Sequence, residues 1–333
     1  MKRFLRNLLI VLIVLAAIYM VGPHPAKPVY SATLPTVPAD GPALEQYIRN
    51  KESHHRLKPD NEARIVWADS PYHTTPYAVV YLHGFSASQE EGDSIHRSFA
   101  RRYGCNMYLS RLDGHGVDTS DPLLTMTADG LWNDAKEALQ IGKALGQKVI
   151  LMGTSTGGTL ALKLAATYPQ DVYAVINMSP NIAINDNLAF LANDPWGLQL
   201  ARLVQGGKYK ESVDTSKLRS QYWFNKYRLE AVVQLQNLVE TSMTPATFEK
   251  VHQPVLNLYY YKDEQHQDPT VRVSAILEME QLLATPENQK AAIPIPGAGA
   301  HVMGCWLTGH DLPAVANAVN GFADSVLSMK PVY

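Results

Sequence analysis

The chain has 333 residues, 46% of them apolar and 18% charged, which suffices for one sizeable core. Twenty-nine basic residues against 31 acidic ones leave a net charge of −2, so a dedicated nucleic-acid binder is excluded for want of a basic surface. Two cysteines, Cys105 and Cys305, exclude a disulfide framework and a four-thiolate metal site.

Lys2, Arg3 and Arg6 precede an uncharged apolar run from Leu8 to Val21, closed by Gly22 and Pro23. A basic flank followed by a hydrophobic stretch is the pattern of an export signal. The run is short for a membrane span, though Phe4 and Leu5 lengthen it. Residues 1–22 therefore read as a retained membrane anchor or a cleaved signal, with a misread buried helix as the third option. The best cleavage position is Val29-Tyr30-Ser31 before Ala32. The positive flank places the body outside the cytoplasm, membrane-anchored or exported to a periplasmic or extracellular space. Such a setting permits a Cys105–Cys305 bridge, with two separate buried thiols as the plainer alternative.

Six prolines between residues 23 and 42 suggest a tether, and the polar residues from Lys51 to Arg56 a surface helix; together they fill a segment at 23–59. From residue 60 onward β-rich apolar runs recur: Ala63–Trp67, Tyr77–Leu82, Asn106–Leu109, Lys148–Met152, Val172–Met178, Val255–Tyr261 and Ala291–Ile295. Helical stretches such as Leu131–Leu145 and Thr159–Tyr168 fall between them. Alternating strands and helices predict an α/β fold, a mostly parallel sheet covered on both faces, over residues 60–333. The long interval before Val255, with helical spacing at Leu188–Leu191, Leu198–Val204 and Tyr227–Val239, predicts an inserted helical subdomain at about 183–250.

Gly153-Thr154-Ser155-Thr156-Gly157 follows a buried strand and opens a helix. This strand–turn–helix setting makes G-x-S-x-G a nucleophile elbow. A side chain at either glycine would collide with backbone, and the turn pushes the Ser155 hydroxyl beyond the sheet. It also leaves the Thr156 amide free at a helix N-terminus. A serine hydroxyl needs a base, expected last in chain order. His301, in a glycine-rich loop ahead of the final helix Pro313–Met329, fits; His310 reads as a residue leading into that helix. The acid that holds the imidazole belongs after the strand Val255–Tyr261, where both Asp263 and Asp268 stand. Asp268 has the better register with Val271 and Val273 and the helix Ser274–Leu283; Asp186 is a third candidate. Glu264, His266 and Asp268 lack a metal-ligand spacing, so no metal or other cofactor is expected. The second oxyanion amide should follow Tyr77–Leu82, at Phe85 in His83-Gly84-Phe85, beside Thr156.

His83-Gly84-Phe85, Arg111-Leu112-Asp113-Gly114-His115-Gly116, Gly153–Gly157 and the late His301 resemble the α/β-hydrolase superfamily, in its carboxylesterase and monoacylglycerol-lipase-like group, over residues 60–330. The resemblance implies an α/β-hydrolase fold with a helical lid and structural roles for Asp113, His115 and Asp118. It also implies a serine esterase (a short-to-medium acyl ester or monoglyceride as the small-molecule substrate) with Ser155, Asp268 and His301 catalytic and Phe85 and Thr156 at the oxyanion. Phe190, Leu191, Trp196, Leu198, Tyr222, Trp223, Phe224 and Tyr227 would supply the lid's acyl site or pack it down. A peptidase or thioesterase on the same fold, and a non-catalytic binding protein, are the alternatives.

Overall fold

A computed structural model describes residues 1–332 apart from Thr215. Seven strands form the central sheet: β1 (Arg64–Val66), β2 (Thr75–Leu82), β3 (Asn106–Leu109), β4 (Gly146–Thr154), β5 (Ala174–Met178), β6 (Val255–Tyr259) and β7 (Lys290–Pro294). Their order is β1-β3-β2-β4-β5-β6-β7. Only β1 runs antiparallel, on β3; the other neighbours are parallel. This is the α/β-hydrolase architecture that the strand–helix alternation predicts.

Both faces of the sheet are covered, which is why its strands read as continuous apolar runs. Along β2, Ala78, Val80 and Leu82 point into one core with Leu131, Leu139 and Leu160. Val79 and Tyr81 point into the other with Phe99, Val315 and Phe322. The first core is closed by α4 (Ala128–Leu145) and α5 (Thr156–Thr167), the second by α3 (Ile95–Tyr103) and α11 (Leu312–Ser325). Because the chain leaves β2 for β3 and then returns past β2 to β4, loops after β2 and β4 part in opposite directions. Such a reversal opens a crevice at the carboxyl ends of the strands.

The N-terminal helix α1 (Lys2–Met20) buries none of its residues, and among the described residues it alone is long and apolar enough to cross a membrane. The next helix, α2 (Gly41–Ser53), starts earlier than the polar stretch suggests and stops before His54. Pro42 opens it instead of belonging to a tether, since the first turn needs no amide from that position. Residues 23–39 have no regular structure, yet they lie against the body. Trp132 donates to Ser31 O (3.0 Å), Lys136 to Thr33 O (2.9 Å) and Tyr168 to Ala32 O (2.9 Å).

The inserted region between β5 and β6 holds α6 (Gly197–Gln205), α7 (Lys217–Tyr222), α8 (Leu229–Ser242) and a single turn α9 (Pro245–Phe248). The stretch Tyr227–Val239 is not one helix. Its first residues pair, as Lys226–Arg228, with Tyr209–Glu211 in a two-stranded ribbon, and helix begins at Leu229. The strand expected to run to Tyr261 ends at Tyr259; Tyr261–Asp263 turns out into a small hairpin with His266–Gln267, after which α10 (Val273–Leu282) returns to the body. Cys105 and Cys305 are both free and buried, so no bridge forms.

Candidate active site

The β4–α5 turn holds Ser155 at φ 54°, ψ −116°, a left-handed backbone that a non-glycine residue adopts only under constraint. The constraint is visible. The Ser155 amide donates to Met178 O (3.1 Å), and its carbonyl accepts from Gly158, Thr159 and Asn181. A Cβ on Gly153 would sit 2.5 Å from Gly157 C, and one on Gly157 would overlap Leu82 O. The two glycines are therefore required by space, since neither has a positive φ.

After β2, the turn from His83 to Ser86 is held by two buried imidazoles. His83 donates from Nδ1 to Gly84 O (2.9 Å) and accepts Leu112 N–H at Nε2 (3.1 Å). His115 donates from Nδ1 to Asp113 O (2.8 Å) and accepts Ser86 N–H at Nε2 (3.0 Å). Each ring needs its unprotonated nitrogen as an acceptor, so each must stay neutral. Burial pushes His83 down to about 4 and His115 well below the ordinary histidine value. Asp113 accepts from Thr127 at the start of α4, and Asp118 pairs with Arg56 at the surface (2.7 Å). Among the described residues, the Phe85 and Thr156 amides donate to no other group.

His301 lies on the loop after β7, and its Nδ1 is 2.7 Å from Asp268 Oδ2. Asp268 is fully buried, and its other oxygen accepts from the amides of Thr270 (2.8 Å) and Val271 (3.0 Å). Burial works to raise its carboxyl, but His301 and these two amides prevail and hold it below the ordinary aspartate value. Asp263 lies in the exposed hairpin and binds His266 Nδ1 (2.7 Å) instead. Asp186 is exposed and accepts from Leu188 N–H, while His310 stands directly before Asp311, the residue that caps α11. Among the described residues no cluster suited to a metal ion occurs.

Glu91, which sequence reasoning passes over, joins these parts. It sits in a buried turn at Gln89–Gly92 and accepts from the Gly84 amide. A Cβ on Gly84 would lie 2.8 and 2.9 Å from the two Glu91 oxygens and 3.1 Å from Ser155 Cβ, so carboxyl, turn and serine are packed together. The charge of His301 also acts on Glu91, which places the imidazole at the same rim. Its sequence, Gln-Glu-Glu-Gly, reads as a solvated turn and gives no signal of this burial. The lid reaches the same place: Phe224 donates from its amide to Ser86 O (2.8 Å), and Tyr227 meets the Phe85 ring edge-on at 5.1 Å. Of the apolar lid residues, Tyr222, Trp223 and Phe224 are buried, whereas Phe190 is exposed.

The family described as serine aminopeptidase, S33, matches residues 74–298. No curated protein matches the chain in sequence. Among solved structures, a chain of the metagenome-derived lipolytic enzymes LipS and LipT aligns with a TM-score of 0.64 at 17% identity, over 80% of this chain and 98% of its own. Monoacylglycerol lipase from Paleococcus ferrophilus gives 0.58 at 14% identity, over 79% and 98%. Est1E from Butyrivibrio proteoclasticus with ferulic acid bound gives 0.55 at 18%, over 80% and 95%. Identities this low speak to a common fold.

Proposed function

The chain belongs to the serine aminopeptidase S33 family of α/β-hydrolases, and from that premise we propose that it hydrolyses carboxylic esters through an acyl-enzyme on Ser155. The observation that carries the reading is the buried Asp268 carboxylate against His301 Nδ1, at the rim where the strained turn presents Ser155. That contact fixes the neutral tautomer and leaves Nε2 as the base.

In the first half-reaction His301 Nε2 takes the Ser155 proton while Oγ bonds to the ester carbonyl carbon. The carbonyl oxygen becomes an oxyanion, received by the Phe85 and Thr156 amides, whose donors have no other use in the chain. The carbon–oxygen bond to the alcohol then breaks, and the alcohol leaves with the proton from His301. Water repeats the sequence on the acyl-enzyme, releasing the acid and restoring Ser155. Asp268 stays ionised throughout and stabilises the imidazolium. No cofactor enters these steps.

The substrate we assign is a short-to-medium acyl ester or a monoglyceride. Tyr227 against Phe85, with Phe224 on the same turn, gives an apolar wall suited to an acyl chain. Residues 1–22 serve as an anchor or signal, 23–59 as the connecting segment and 60–333 as the hydrolase domain, its lid at about 183–250. The body then faces outside the cytoplasm. Salt-resistant retention in a membrane fraction is expected if α1 spans; release by high salt alone would contradict it. A panel of p-nitrophenyl esters of graded acyl length, run beside aminoacyl-peptide substrates, tests the reaction class. Turnover of the esters supports the esterase; cleavage of peptides alone would make the protein a peptidase.

A further inference from the structure

Glu91 is the carboxyl that the mechanism above does not use, and its surroundings are unusual for a charge. It is 2% exposed, and its hydrogen-bond partners are N–H groups from two separate regions: the Gly84 amide on the turn after β2, and Trp223, which follows α7 in the lid. A buried carboxyl is costly unless donors satisfy it, so these two contacts hold the group and it holds them. The space a side chain on Gly84 would need is filled by the two carboxyl oxygens, next to Ser155 Cβ. The following residue is Phe85, whose amide is free.

We propose that Glu91 is a positioning residue of this site: its carboxyl ties the Gly84 amide to Trp223, so that the aim of the Phe85 amide at the oxyanion depends on the lid being packed down. The inference rests on the ester-hydrolase reading of Ser155 and deepens it. A peptide plane rotates as a unit, so a bond that pins the Gly84 N–H limits how the next amide can turn. Trp223 is itself buried beside Ala87, Tyr222 and Val302, and Arg219 lies over its ring at 5.0 Å. A lid that lifts would carry the indole away and leave the carboxyl with one donor.

The ionised form is the better acceptor, and this gives the device a pH dependence. Burial raises the carboxyl to about 7, against the Gly84 amide, the His301 charge, the Trp223 bond and Arg219 on α7. The other titratable groups facing it are Tyr81 on β2 and Cys305, both held neutral by burial, with Glu90 and Asp93 on its own turn. As pH falls through this range the acceptor weakens and the clamp loosens.

The test uses the full chain as wild type, Glu91→Ala, Glu91→Gln and Trp223→Phe, with active sites counted by a fluorophosphonate and turnover followed on p-nitrophenyl butyrate from pH 5 to 9. Removing an oxyanion donor outright costs about 10²–10³ in kcat, so misdirecting one should cost about tenfold or more in Glu91→Ala, with KM nearly unchanged. Glu91→Gln, which retains an acceptor oxygen, should recover most of that kcat. Its acid limb should move to lower pH, because no carboxyl titrates there. Trp223→Phe should lower kcat in the wild type and add little in Glu91→Ala, as expected for two groups sharing one bond. The proposal is overturned if Glu91→Ala has wild-type kcat per titrated site, or if the acid limb of Glu91→Gln stays in place. Should Glu91→Ala fail to fold, the limb of Glu91→Gln decides. Hydrolysis surviving in Ser155→Ala would instead sink the parent reading; a dead Ser155→Ala beside unaffected Glu91 variants would sink this proposal alone.

Discussion

Along the rim of the sheet Ser155, Thr156 and Asp268 are buried to 6, 1 and 0% exposure, whereas on the lid Phe190, Leu203 and Val204 stand 51, 78 and 81% exposed. The rim's backbone is fully committed, as the four bonds around Ser155 show. The lid helix α6, by contrast, buries only Gly197. Regions with few buried contacts open at lower free energy than the core. The chemistry needs fixed distances, and entry of a substrate needs a part that gives way; the two demands fall on different segments of one chain.

The sharpest way to break this contrast is at the rim. Ser155→Ala should lower ester turnover by about 10⁴-fold or more, judged from the loss of a catalytic serine in other hydrolases. Steady-state rates on a p-nitrophenyl ester read it directly, and substantial residual turnover would remove Ser155 from the mechanism. Asp268→Asn should cost about 10⁴-fold in kcat by allowing the wrong imidazole tautomer. Asp263→Asn, in the exposed hairpin, should stay within about twofold, since a surface contact has little hold on the site. The reverse ranking would place the acid in the hairpin.

A third test concerns the rim's second layer. His96 is fully buried, bonds Gln89 O through Nε2, and is pushed down to about 3 by burial. A histidine lowered in the folded state contributes stability that is complete above its ordinary value near 6.5 and is lost as pH falls toward 3. Replacing it with Gln removes that contribution. Wild-type stability should therefore fall more steeply than that of His96→Gln between pH 6.5 and 4, by about 1.4 kcal/mol per pH unit. Urea titrations at pH 7, 6, 5 and 4 measure the two slopes, and parallel slopes would contradict the neutral ring. The smallest effect is expected in the lid, where Tyr227→Ala should shift the preference toward longer acyl chains by about tenfold without abolishing turnover. An unchanged acyl profile would separate Tyr227 from the substrate.

The same contrast governs what the sequence displays. Strands such as Asn106–Leu109 stand out because both sheet faces are buried and no polar residue interrupts the run. The elbow stands out because the turn tolerates so few residues around Ser155. The lid is harder to read. Lys226-Tyr227-Arg228 forms a ribbon with no apolar run to announce it, and Gly41-Pro42 begins a helix although proline equally suits a tether. The acid loop carries two aspartates in a row of polar residues. Which of them meets His301 depends on a hairpin that folds Asp263 outward, a matter of register that residue types do not encode. Glu91 is invisible for a related reason: charge in a short turn is the ordinary mark of a surface, and only the fold brings Gly84 and Trp223 around it.

The most direct measurement of the central claim is peptide mass spectrometry of the protein after reaction with a fluorophosphonate. The account predicts one adduct, on the peptide containing Ser155, formed stoichiometrically and lost in both Ser155→Ala and His301→Ala. An adduct on another residue, or none from a folded and active enzyme, would contradict it.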